Sequence, residues 1–525
     1  MTALLHHLLS KNLATQANAI AITHKNHSLS YHEIAKQVKK QAQALVSQNL
    51  KPQQRVAIYL PKQIETVTSF FAISQAGGVF VPINPVLKAT QVCHILSDCN
   101  VQILITSNAR LQSLATQLGN CPDLHTIILV DHQAPDISTY PAHRLLTWPN
   151  FLNHANKQTM PKLIDTDMAA ILYTSGSTGK PKGVVLSHRN IVVGAESVSE
   201  YLNMTENDKI LAVLPFSFDY GLNQLISAIL KGANCVLLDY LLPRDVIKAL
   251  DKHKITGLAA VPPLWAQLAS LNWPESINQH LRYMTNSGGK MPKSILETIQ
   301  SKVPNSQFYL MYGLTEAFRS TYLPPEQLKQ RPDSMGKAIP NVEVLVVRED
   351  GSLCAPHESG ELVHCGSLVA LGYWNDPEKT AEHFKPAPTQ LKELPLTEIA
   401  VWSGDQVTQD EEGYLYFIGR KDDMLKTSGY RVSPTEIEEV IYTSGLVKEA
   451  AAIGIPHETL GQAILVIVST KSIEQFNETD LINICKAQLA NFMIPAKIIA
   501  VAELPKNPNG KIDRKALCLQ FIDAL

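Results

Sequence analysis

Over its first 130 residues and again between about 168 and 315, the chain alternates short, uninterrupted apolar runs with segments of helical spacing. The apolar runs are Arg55-Val56-Ala57-Ile58-Tyr59-Leu60, Val79-Phe80-Val81, Val101-Gln102-Ile103-Leu104-Ile105 and Thr126-Ile127-Ile128-Leu129-Val130, with Cys235-Val236-Leu237-Leu238 and Ile255 to Val261 further on. Between them, Tyr31 to Leu50, residues 63–76 and Pro243 to His253 carry apolar residues at helical spacing, and Gly77-Gly78 offers a positive-φ stop to the second of these helices. Strands that are apolar on both faces must be covered on both faces. The alternation therefore predicts buried, largely parallel sheets flanked by helices.

After about residue 335 the pattern changes. Strands are separated by turn signals such as Glu349-Asp350-Gly351 and Asp410-Glu411-Glu412-Gly413, which predicts a more antiparallel subdomain. A second change falls near Gly419-Arg420-Lys421-Asp422-Asp423. The hundred or so residues beyond it, with helices at Ser433 to Thr443 and Glu478 to Leu489, suit a small α+β domain. A chain of 525 residues exceeds what one core organises. The expected class is α/β: a large N-terminal domain, residues 1–420, of two mostly parallel subdomains and a smaller β-rich one, then a small C-terminal domain, residues 421–525.

Composition excludes several functions. A formal net charge of −2 gives no basic excess for nucleic acid or an anionic membrane. No window approaches ~18 apolar residues, so no membrane span is expected. Met1 to Ser10 lacks a basic start and its apolar run is broken by His6 and His7, unlike a signal peptide. The cysteines show no paired or metal-ligand spacing, so reduced, mostly packed thiols in a cytoplasmic protein are expected.

The strand ending Ile171-Leu172-Tyr173 runs into Thr174-Ser175-Gly176-Ser177-Thr178-Gly179-Lys180-Pro181-Lys182-Gly183. Small residues let backbone approach an anion, hydroxyls and N–H groups donate to phosphate oxygens, and Lys180 and Lys182 add charge. The spacing is not that of a nucleoside-triphosphatase P-loop: two residues, not four, separate Gly176 from Gly179, and Pro181 follows Lys180. On spacing alone, a flexible surface loop stays open as the alternative.

The run from Tyr173 to His188 resembles the signature of the AMP-forming adenylating enzymes: acyl-CoA synthetases, peptide-synthetase adenylation domains and luciferases. The resemblance extends over nearly the whole chain, because further motifs of that family follow in order. Tyr312-Gly313-Leu314-Thr315-Glu316 resembles its second nucleotide motif, Ser403-Gly404-Asp405 its ribose motif, Gly419-Arg420 the next, and Pro505 to Lys515 its C-terminal lysine motif. The resemblance implies that residues 174–180 and Lys182 hold phosphates and that Tyr312 and Gly313 flank adenine. It also implies that Thr315 bonds the α-phosphate, Glu316 binds Mg²⁺, Asp405 and Arg420 hold the ribose, and Lys511 serves catalysis. Asp422 takes the hinge position, and Lys426 to Arg431 face the site in a second state of the small domain.

The implied function is ATP-dependent activation of a carboxylic acid followed by transfer to a thiol, either coenzyme A or the phosphopantetheine of a separate carrier protein. No attached carrier domain is expected, because the chain ends just after Lys511. A non-thiol acceptor and an inactive binding homologue are the alternatives. Leu214 to Gly221 bears most on the acid. Phe218-Asp219 resembles amino-acid-adenylating relatives, whose Asp pairs with the substrate ammonium; an Asp219 that caps a helix or bonds backbone locally is the other reading. Tyr312 to Glu316, without the proline of peptide-synthetase domains, and Lys426 to Arg431 resemble stand-alone acyl-CoA ligases instead. Phe218, Asp219, Tyr220, Pro262, Trp265, Asn286 and Ser287 are expected in the acid pocket, with Gly288, Gly289 and Lys290 close to it or to adenine.

Overall fold

The computed structural model describes residues 4–524 apart from 134, 175–180, 390–392, 394, 421–423, 428–429, 458–459, 471–472, 474–475, 490, 509 and 523. The local signals work as expected. Ser30 and Glu33 form a reciprocal capping box at the start of the helix Tyr31–Ser47, which buries Tyr31, Ile34, Val38, Ala42 and Leu45 along one face. The helix Ile64–Gln75 is followed by Gly77 at φ +80°. A side chain there would be strained and would meet Pro161.

The first sheet has eight strands. Met168–Thr174, Val79–Pro82, Arg55–Tyr59, Val101–Thr106, Thr126–Leu129 and Arg144–Thr147 run parallel in that order. Lys182–Ser187 and Gly372–Tyr373 add an antiparallel edge. The second sheet has a parallel half, in which Ile20–His24, Asn234–Leu237, Lys209–Ala212, Gly257–Ala260, Tyr283–Asn286 and Gln307–Tyr312 lie side by side. Phe70 and Phe80 from the first sheet's layers and Leu211 and Ile226 from the second's share one core cluster. Each fully buried phenylalanine there is worth roughly 1.5–3 kcal/mol over exposure.

The antiparallel region joins the second sheet. Ser334–Ala338 pairs with Thr321–Leu323 on one side and Leu415–Arg420 on the other, so the β-rich strands continue the second sheet to fourteen strands. Turn signals report strand reversal; they carry no information about which edge a strand joins.

A third sheet is built entirely from later strands: Leu425–Thr427, Tyr430–Val432, Glu449–His457, Gly461–Ser469 and Lys497–Val501. It has separate cores, one around Ile437, Val466 and Leu481 and another around Ile453, Leu465 and Leu517. All eight cysteines are free thiols, six of them buried. Among the described residues no helix is long and apolar enough to cross a membrane.

Candidate active site

Parallel register decides where the site forms. Ala260, Asn286 and Leu310 are aligned across neighbouring strands, so Val261-Pro262, Ser287-Gly288 and Met311-Tyr312 emerge together at the carboxyl ends. Open α/β sheets bind ligands at that edge.

Of the phosphate loop, Ser175, Gly176, Ser177, Thr178, Gly179 and Lys180 lie outside the described residues. Its frame is clear: Met168–Thr174 and Lys182–Ser187 are antiparallel, with Thr174 opposite Lys182. The Thr174 hydroxyl is buried with no partner among the described residues. Lys182 Nζ lies 3.3 Å from the Glu316 carboxylate and donates to the Tyr373 hydroxyl at 2.7 Å. That hydroxyl in turn donates to Glu316 Oε1 at 2.6 Å. Burial alone would raise the Glu316 carboxyl, but Lys182 and Tyr373 offset it and hold the group below its ordinary range. Glu316 is therefore an ionised oxygen donor, and a single carboxylate beside phosphate oxygens suits Mg²⁺. Tyr373 escaped the sequence reading because Gly372-Tyr373-Trp374 lies far along the chain and has no spacing signal; only the edge strand brings it to Lys182.

At the nucleoside end, Asp405 and Arg420 face each other across adjacent strands. Arg420 Nε is 3.0 Å from Asp405 Oδ1, and the Tyr312 hydroxyl donates to Asp405 Oδ2. Asp405 is 4% exposed and Arg420 58%. Burial pushes the Asp405 carboxyl up, against the pull of Arg420 and Tyr312. Gly313 is packed close to Arg319, so the turn after Tyr312 leaves little room for a side chain.

At the acid end, Phe218 precedes the helix Asp219–Lys231, and Asp219 is its first residue. Gly221 sits so close to the Pro215 carbonyl that a Cβ would lie 2.1 Å from it. Asp219 departs from one expectation, that of a local cap. It makes no side-chain cap, and its countercharge comes from within the protein: Arg319 Nη1 lies 3.0 Å from Asp219 Oδ2, with the two side chains 2% and 3% exposed. Thr315 Oγ1 donates to Asp219 Oδ1 at 3.4 Å. Arg319 was not singled out from sequence, because a lone arginine carries no spacing signal. Its guanidinium stacks 4.6 Å above the Tyr220 ring, and its Nε and Nη2 have no partner among the described residues. The Tyr220 hydroxyl is 2.5 Å from Thr285 Oγ1.

Tyr220 and Thr285 border a small cavity of about 20 Å³, whose polar wall includes Asn223 and Gln224. Asn223 Nδ2 and both polar atoms of the Gln224 amide are buried with no partner among the described residues, while Asn223 Oδ1 accepts from the Ser227 hydroxyl at 3.3 Å. Asn286 Nδ2 donates to the Gly289 carbonyl at 3.0 Å, and Ser287 is buried beside it. A Cβ on Gly289 would touch Pro262, which places those two together. Two residues are corrected. Trp265 is fully buried against Phe308 with its indole N–H on the Ala260 carbonyl, so it belongs to the core and does not border the cavity. Lys290 turns away to Asp333 and Glu439. Apolar bulk places the first and countercharge the second, and neither is visible in a linear motif.

Lys511 closes the site. Gly510, at φ +79°, shapes its loop, and Asn507 accepts the Lys511 N–H at 3.0 Å. Asn84 Nδ2 donates to the Pro508 carbonyl at 2.8 Å, tying this loop to the large domain. Lys511 Nζ lies 5.8 Å above the Phe218 ring, and a Cβ on Gly288 would be 3.2 Å from Lys511 Cε. Burial lowers the Lys511 ammonium below its ordinary range and Arg420 adds to this, while Asp219, Asp405 and Glu316 pull it back. Phe218 and Gly288 thus pack near Lys511, with Asp219, Asp405, Glu316 and Arg420 within electrostatic reach of it. Asp422 lies outside the described residues. Lys426 and Arg431 are paired across the hairpin of Leu425–Thr427 and Tyr430–Val432.

Comparison with known proteins agrees with this geometry. Residues 9–374 match the AMP-binding enzyme family and residues 436–511 the AMP-binding enzyme C-terminal domain. A long-chain-fatty-acid–CoA ligase of Bacillus subtilis (strain 168) is 28% identical over 98% of this chain and 94% of its own length. Gramicidin S synthase 2 of Brevibacillus brevis is 30% identical over 95% of this chain, which spans only 11% of that protein. Among solved structures, ATP-bound MatB from Rhodopseudomonas palustris covers all of both chains at 25% identity and a TM-score of 0.86. The anthranilate CoA ligase AuaEII in complex with anthranoyl-AMP is also 25% identical, with a TM-score of 0.87 over 99% of this chain and 98% of its own. The chain belongs to the AMP-binding enzyme family.

Proposed function

We propose that this protein is an ATP-dependent, AMP-forming carboxylic acid–thiol ligase. The observation that carries the reading is the placement of Lys511. A lysine from the last segment of the chain is held beside Phe218 and Gly288, within electrostatic reach of Asp219, Glu316 and Asp405.

In this reading a substrate carboxylate oxygen attacks the α-phosphorus of ATP. The bond from that phosphorus to the bridging oxygen breaks, and pyrophosphate leaves. The lysine ammonium neutralises charge developing at phosphorus, and Thr315 donates to the α-phosphate. Residues 174–180 with Lys182 hold the β- and γ-phosphates. Asp405 and Arg420 take the ribose, and Tyr312 and Gly313 with Gly288 and Gly289 enclose adenine. Glu316 would hold a Mg²⁺ ion, which supplies charge neutralisation on the phosphates. A thiolate then attacks the acyl-adenylate carbonyl and AMP departs. Rotation of residues 421–525 about Asp422, exchanging Lys511 for a thiol-binding face, separates the two steps.

The relatives include both a CoA ligase and a gramicidin S synthase, so both thiols belong in the test. Acid-dependent exchange of pyrophosphate into ATP tests the first step. Thiol-dependent AMP release, assayed with coenzyme A and with a holo carrier protein, tests the second. Exchange that persists in full in Lys511→Ala sinks the catalytic assignment. Exchange without AMP release to either thiol points to a non-thiol acceptor, and no exchange at all to a binding homologue.

A further inference from the structure

We propose that Arg319 acts as a built-in counter-ion that silences Asp219 as an ammonium receptor, so that this enzyme selects carboxylic acids bearing a second oxygen acceptor — a hydroxyl, oxo or carboxylate group — rather than α-amino acids. The inference rests on the ligase reading and names the acid class for the same site.

Two observations support it. First, Asp219 already has its counter-ion. Arg319 Nη1 is 3.0 Å from Asp219 Oδ2, with the two side chains 2% and 3% exposed. A substrate ammonium would be a second cation beside one buried carboxylate, where the repulsion between the two cations is weakly screened. Second, Arg319 has spare capacity. The guanidinium is 2% exposed, yet Nε and Nη2 have no partner among the described residues. Buried donors of this kind are costly unless something accepts from them, and a guanidinium matches an oxygen acceptor best.

The test uses full-length protein and acid-dependent pyrophosphate exchange. The core panel is three three-carbon acids that differ only at the second carbon — alanine, lactate and propionate — with malonate added. Benzoate, palmitate and other amino acids extend it. Wild type should favour lactate or malonate over propionate in kcat/KM by roughly 100-fold, the penalty for leaving a buried donor unpaired. Alanine should be the poorest of the four. Arg319→Leu frees Asp219, so the acceptor preference should vanish and alanine should gain. The near-isosteric double variant Asp219→Asn/Arg319→Gln removes both charges together and keeps the fold testable if Arg319→Leu does not accumulate. It should lose the acceptor preference with no gain for alanine. A wild type that prefers alanine to lactate, or palmitate to both, overturns the inference, as does an unchanged ranking in the variants. Failure of every acid to drive exchange is a different result: it sinks the ligase reading itself, and the inference with it.

Discussion

The two ends of the site handle charge differently. At one end the Asp405–Arg420 pair is lopsided, with Asp405 sealed and Arg420 58% exposed, while Lys182 and Glu316 both keep a little of their side-chain surface, 21% and 13%, in reach of solvent. At the acid end, Asp219 and Arg319 are both closed off, at 3% and 2%. A pair with one wet partner can exchange that partner for a ligand at modest cost. A pair sealed on both sides cannot, because removing either member strands a charge in a low-dielectric interior. Asp405 therefore has a partner that can leave it for water or a ligand, and Asp219 does not.

The strongest way to break this contrast is to remove one acid at each end. Asp219→Ala should cost about 3–5 kcal/mol of unfolding free energy, since it leaves Arg319 buried and unpaired. Asp405→Ala should cost far less stability, because Arg420 relaxes into water. Chemical denaturation of both variants measures this, and equal losses would erase the distinction.

Lys511→Ala comes next. It should lower the exchange rate by about 10²–10³-fold, as expected for one lost transition-state charge partner, while the denaturation midpoint stays unchanged. Asp405→Ala in the same assay should raise KM for ATP about tenfold, the equivalent of ~1.4 kcal/mol of ribose binding, with little change for the acid. A Tyr373→Phe change acts on Glu316 instead. It removes one hydrogen bond to an ionised Glu316 and should cost about 1.5–3 kcal/mol of the Glu316-dependent activity, read as a weaker response to added Mg²⁺.

The pH dependence separates the ends again. The folded-state pKa of Lys511 lies below that of an ordinary lysine, so its charge is fully present at low pH and is lost as pH rises through the depressed value. Exchange activity should therefore fall on the alkaline side at a lower pH than a free lysine would give. Glu316 is depressed for the opposite charge type, so its carboxylate persists as pH falls below the ordinary glutamate range. Lys511→Arg should move the alkaline limb upward if the lysine sets it, measured as the pH profile of kcat/KM.

Much of the molecule was legible in the sequence because the signals are local. The helix Tyr31–Ser47 follows from Ser30, Glu33 and its apolar face, and the helix Pro243–His253 from its proline start and spacing. Both need only a few neighbouring residues. Thr315, Glu316, Asp405, Arg420 and Lys511 were found because each stands in a short motif. What stayed hidden depended on distant partners. Tyr373 reaches Glu316 across 57 residues of sequence, and Arg319 reaches Asp219 across 100.

The sequence by itself determined the α/β class, the order of the elements and the convergent nucleotide motifs, because hydrophobic period, caps and turns act over a few residues. Only the tertiary structure decided that the β-rich strands extend the second sheet, that Trp265 belongs to the core, and that Asp219 already has a counter-ion. Those outcomes depend on burial and on countercharge supplied from elsewhere in the chain. A carboxylate reads the same in sequence whether its cation is a ligand or a residue a hundred positions away.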